Sequence, residues 1–119
     1  MDIDVLRDYC LAKKGVTEEL PFGPDTLVFK VMGKMFALVG LDEVPLRVNL
    51  KCDPEKAVQL REEYSDTILP GYHMNKQHWN TVVLDGSINK TMILEFIDHS
   101  YTLVVSSLTK KIQQELNSL

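Results

Sequence analysis

The sequence has only two cysteines, Cys10 and Cys52, and they lie far apart. That excludes a disulfide framework and argues against a thiolate zinc site, so both thiols are expected free and mostly buried. It also has no uninterrupted apolar run near the roughly 20 residues that a membrane-spanning helix needs. Its first residues, MDIDVLRDY, are acidic where a signal peptide would be basic. A cytoplasmic protein with no membrane partner is therefore expected. Positive charge is in short supply too: 13 Lys and Arg against 17 Asp and Glu give a formal net charge of -4. Phosphate binding needs a concentrated positive surface, so any nucleic-acid contact must be made by a local basic patch. No internal repeat and no low-complexity segment is present.

What is there fits an ordinary globular chain. A length of 119 residues, 45% hydrophobic and 25% charged, is enough for one self-folding domain over residues 1–119 and leaves little room for two.

The pattern of elements can be read along the chain. Ile3, Leu6, Tyr9 and Cys10 form the apolar stripe of a first helix, with Asp2 and Asp4 at its positive end and Gly15 as a stop. VTEELPFGPD, broken by Pro21, Gly23 and Pro24, predicts an ordered connection. TLVFKVM and MFALVG predict two strands joined at Gly33 and Lys34, with Leu27, Phe29 and Val31 inward and Lys30 outward. In LRVNLK the residues Leu46, Val48 and Leu50 alternate with Arg47, Asn49 and Lys51, the period of a sheet with one buried and one wet face.

Asp53-Pro54-Glu55 starts a second helix that runs to about Tyr64. SDTILPGYHMNKQH reads as a mixed loop with room for a short strand, and NTVVLD as a strand with Val82 and Leu84 inward and Thr81 and, by extension, Trp79 on the open side. Ser87 or Asn89 caps a long helix carrying Ile93, Phe96, Ile97, Tyr101, Val104 and Leu108, and Thr109 starts a last short helix. The order predicts an α+β fold, an antiparallel sheet with helices packed on one face.

The segments PFGPD, FKVMGKMFAL, VNLKCDPE, PGYHMNKQHWNTVVLDGS and DHSYTLV, in this order, resemble the MmcQ/YjbR family over nearly the whole chain. The resemblance implies a fold like that of the bacterial frataxin CyaY, and DNA binding through a so-called double-wing arrangement of strands. It implies no established reaction. Frataxin-like proteins also use an acidic helix and sheet edge to contact iron and protein partners. Here Asp2, Asp4, Asp8, Glu18, Glu19 and Asp25 gather near the first helix, although capping explains the aspartates at its start.

The residues themselves do not compose a catalytic or metal site. His73 and His78 are five apart, off the spacing that places two imidazoles on one helical face, and no thiolate lies near them. No Ser, Cys or Thr stands in a recognisable nucleophile elbow, and Gly33-Lys34 lacks a phosphate-cradling loop. His99 reads as a solvated or capping histidine, and Ser100-Tyr101 as packing residues of the long helix. No catalytic residue, metal or cofactor is expected.

A DNA-contacting surface does have a geometric basis, because residues of one parity share one face of a strand. Lys30, Lys34, Arg47, Lys51 and Lys76 would hold phosphates. Asn49, His73, His78 and Trp79 would contact bases or shape the groove. The bland account is a solvated sheet face with Trp79 as a packing anchor and Asn75 capping a turn. The competing function is a protein-interaction or regulatory module using the same face or the acidic first helix. Interruption of the basic face by carboxylates would weaken the DNA reading.

Overall fold

A computed structural model describes all 119 residues. The elements run α1 (Ile3–Leu11), β1 (Val16–Glu19), β2 (Thr26–Val31), β3 (Lys34–Gly40), β4 (Arg47–Lys51), α2 (Pro54–Glu63), β5 (Ile68–Pro70), β6 (Trp79–Val83), α3 (Lys90–Ser106) and α4 (Lys110–Asn117). One six-stranded sheet has the order β1-β2-β3-β4-β6-β5, and every neighbouring pair is antiparallel.

Local chemistry sets the boundaries. The side chains of Asp2, Asp53, Asn89 and Thr109 each accept a hydrogen bond from an amide in the first turn of their helix, satisfying donors that would otherwise be orphaned. Asn89, not Ser87, caps α3. The β2–β3 hairpin turns on Met32 and Gly33, whose φ values of 49° and 86° are both positive, as a two-residue turn between right-twisted strands requires. Lys34 therefore opens β3 instead of sitting in the turn.

The strand parity follows the sequence pattern. Phe29, Val31, Val39, Val48, Leu50, Val82 and Leu84 are buried in one core with Leu6 and Cys10 of α1 and Ile93, Phe96, Ile97 and Val104 of α3. In β3 the register slips: Phe29 faces Ala37 and Lys30 faces Met35, so Phe36 is an extra, bulged residue. The bulge lets both Phe36 and Ala37 enter the helix-side core.

Two features depart from the pattern. Val16–Glu19, expected to be connection, forms the edge strand β1, with Val16 packed on the core and Glu18 paired to Arg7 of α1. The face away from the helices is also partly covered: Val28, Leu38 and Trp79 form a second buried cluster there, closed by Met35 and Met74.

Candidate functional site

The outer cluster exists because the β5–β6 loop folds back over the sheet. Gly71 approaches Trp79 so closely that a Cβ would lie 2.7 Å from Trp79 Cβ and 2.8 Å from its carbonyl oxygen. The Tyr72 amide donates to Thr81 Oγ1 at 3.0 Å, Thr81 donates to Asn49 Oδ1, and Asn49 Nδ2 donates to the Tyr72 carbonyl at 3.3 Å. This closed ring of hydrogen bonds ties the loop to β4 and β6. His73 follows at φ 59°, a left-handed conformation uncommon outside glycine but one that histidine adopts more often than most residues, with its ring 4.0 Å from that of Tyr72. Asn75 Oδ1 accepts from the amides of Gln77 and His78, the capping role its position suggests.

Beside the loop the outer face is hollow. A cavity of about 400 Å³ falls within the range of small-ligand and side-chain pockets. Its apolar lining comes from Phe22, Met35, Leu38 and Met74, and its polar lining from Arg47, Asn49 and Thr81. Asp42 and Glu43 of the β3–β4 loop add two carboxylates, and Tyr72 and His73 complete the rim. Phe22 and Tyr72 are 63% and 64% exposed.

The nine residues expected on a DNA-contacting face do not gather into one surface. Arg47, Asn49 and His73 meet in the cavity. Lys30 is bound to Glu19 of β1 at 2.6 Å. Lys34 is exposed at the start of β3, and Lys51 is half-buried beside Trp79. Lys76 is exposed in a separate shallow depression against α2, where Arg61 donates to its carbonyl at 2.7 Å. His78 is half-buried, and its carbonyl accepts from the Cys52 amide. Trp79 is only 9% exposed, so its ring serves packing and offers no face on which a base could stack.

The DHSY segment of the long helix is scaffold. Asp98 accepts from the Tyr9 hydroxyl at 2.7 Å and pairs with Lys13, which joins α3 to α1. His99 Nε2 accepts from the Asp53 amide at 3.2 Å, at the start of α2. Burial, with Lys56 nearby, holds the imidazole pKa below its ordinary value. Ser100 is fully buried and bonded to both β3 and β4. Tyr101 donates to the Lys14 carbonyl at 2.6 Å and meets Phe36 edge to face. Both cysteines are free and buried, and burial, which pushes the Cys10 thiol up to about 12 and raises that of Cys52, disfavours the nucleophilic thiolate.

A family model described as YjbR matches residues 11–103. The chain belongs to the YjbR family. It is 42% identical over 97 residues to the uncharacterised YbdF of Escherichia coli O157:H7, covering 81% of this chain and 78% of that one. It is 38% identical over 111 residues to the uncharacterised YjbR of Escherichia coli K12, with 93% of each chain covered. Among solved structures, Deinococcus radiodurans DR2400 superposes with a TM-score of 0.92 at 42% identity, over 97% of this chain and 87% of that one. A Pseudomonas syringae protein superposes with a TM-score of 0.71 at 29% identity, over 87% of this chain and 98% of that one. The α+β fold is thus shared with both solved structures.

The cavity of this YjbR-family chain includes residues that sequence reasoning missed: Phe22, Gly40, Asp42, Glu43, Tyr72 and Met74. One signal for them was in the sequence. A phenylalanine inside PFGPD sits where Pro and Gly forbid a regular element and a core position is hard to reach, so an exposed aromatic is the natural reading. The inward fold of the 71–78 loop had no such signal. No helix of the chain is long and apolar enough to cross a membrane.

Proposed function

We propose that this YjbR-family chain is a non-catalytic, cytoplasmic protein-interaction module whose docking site is the outer-face cavity and its rim. One observation carries the reading. Seven large hydrophobic side chains are exposed, and five of them, Leu20, Phe22, Leu41, Val44 and Tyr72, belong to the three loops that meet at the cavity. The Leu41 amide donates to the Asp25 carbonyl at 2.8 Å, which ties two of those loops together. Apolar groups concentrated around a concave site, with polar groups in its lining, are the composition of a surface that another protein covers.

DNA binding is the second reading. It is favoured by Lys34, Lys51 and Lys76, none of which has a carboxylate partner within ion-pair distance. The pairing of Lys30 with Glu19, the placement of Glu43 near Arg47 and the burial of Trp79 weaken it.

Site-specific photo-crosslinking separates the two. A benzophenone side chain at position 22 is expected to capture a discrete protein in cells, and one at Val58, exposed on α2, is not. Equal capture at both positions would overturn the assignment. Fluorescence anisotropy with short duplex and single-stranded DNA across a salt series supplies the other arm. Steeply salt-dependent binding that is lost in the folded Arg47→Ala, Lys51→Ala, Lys76→Ala variant would transfer the function to DNA.

A further inference from the structure

Glu43 reaches the cavity because Gly40 has no side chain. A Cβ on Gly40 would lie 2.8 Å from Glu43 Cδ, closer than real contacts come, and 3.1 Å from Oε1. The carboxylate therefore rests against bare backbone at the end of β3. The Glu43 amide donates to the Gly40 carbonyl at 3.3 Å, closing the turn that brings the side chain back. Its ion-pair partner is Arg47, with Nε 3.9 Å from Oε2, beyond hydrogen-bond length. Oε1 lies on the Gly40 side.

Asp42 places a second carboxylate on the same lining. Two carboxylates against one guanidinium leave an excess of negative charge in the cavity. Phe22 and Tyr72 set exposed aromatic rings beside it. Carboxylates next to aromatic faces suit a cation on an apolar stem: the charged end takes short, charge-assisted hydrogen bonds while the methylenes lie along the rings.

We infer that the cavity receives a basic side chain of the partner protein, an arginine or a lysine, with its cation on Glu43 and its stem against Phe22 and Tyr72. This rests on the protein-interaction reading above and specifies its chemistry. Arg47 then attracts the Glu43 carboxylate from beyond hydrogen-bond length, 3.9 Å away, which leaves the carboxylate oxygens open to the incoming donor.

The test uses N-acetyl-arginine amide and its uncharged isostere N-acetyl-citrulline amide, titrated into the ¹⁵N-labelled protein and followed at the amides of Gly40, Asp42, Glu43 and Tyr72. Saturable shifts with the arginine probe, at least about threefold tighter than with the citrulline probe, are expected for a partly exposed charge pair. Glu43→Gln should remove that preference. Gly40→Ala should weaken arginine binding as well, by displacing the carboxylate. Equal binding of the two probes, an unchanged preference in Glu43→Gln, or no shifts at any of the four amides would overturn the inference. Photo-capture at position 22 that survives Glu43→Gln undiminished would retain the docking face while removing the basic side chain from it.

Discussion

Ser100 donates its hydroxyl to the carbonyl of Phe36 at 2.6 Å, at the bulged residue that has no facing partner in β2. The same oxygen accepts the Lys51 amide at 2.8 Å. One buried hydroxyl of α3 thus continues the β3–β4 ladder just past its last residue pair, Ala37 and Leu50.

Ser100→Ala would leave a buried amide and a carbonyl short of a partner, at a cost of about 2–4 kcal/mol for the two groups. Urea unfolding should show a lower midpoint with an unchanged slope. A midpoint within error of wild type would mean that water replaces the hydroxyl there.

Gly71→Ala drives a methyl into Trp79 and its carbonyl. Overpacking of this kind costs about 1–3 kcal/mol, and here the loop can escape only by lifting off the sheet. Trp79 fluorescence should shift to the red and become more accessible to acrylamide. Unaltered quenching would show that the loop accepts the methyl in place.

His99 makes stability depend on pH. Its folded-state pKa lies below the ordinary value near 6.5 because burial and Lys56 disfavour the cation, while Asp53 acts weakly in the opposite sense. The unfolded chain therefore binds the proton first. Stability from this group is complete above about pH 6.5 and is lost as pH falls from there toward the lower folded value. His99→Gln should flatten the stability profile between about pH 7 and 5. The loss belonging to Glu18 and Asp85, whose carboxyl pKa values are also lowered, comes at more acid pH and should persist in that variant.

The Tyr9–Asp98–Lys13 contact binds α1 to α3. Asp98 is half exposed, so solvent screening keeps the ion pair small, and Asp98→Ala should cost about 1 kcal/mol, mostly through the lost tyrosine bond. The Tyr9 phenol is raised to about 12, first by its bond to Asp98 and then by burial. Spectrophotometric titration should show one tyrosine ionising earlier in Asp98→Ala than in the wild type.

Much of the fold could be read from residue order. The caps at Asp53 and Thr109, the alternation through Arg47–Lys51 and the stripe of α3 each follow from short-range rules, and short-range rules are visible in one sequence. β1 was hidden because four residues before a Pro- and Gly-rich loop carry too little pattern; it forms through pairing with β2 and the Arg7–Glu18 contact. The outer face was misjudged for a different reason. Parity correctly sent Trp79 and Thr81 away from the helices, but parity says nothing about a loop that returns to cover them. Of the expected site, Arg47, Asn49 and His73 came together for the same reason: two share a strand face and the third is carried in by that loop.

The covering helix arrives late. Strands β1 to β4 are complete by Lys51, whereas α3, which buries Phe36, Val39 and Val48, spans Lys90–Ser106. On the ribosome the hairpins emerge about forty residues before their cover. Until then the apolar side of the young sheet lacks the helix that covers its centre. Fragments ending before α3 should therefore be sticky and chaperone-dependent, and the window in which this chain is most exposed to aggregation falls during its own synthesis.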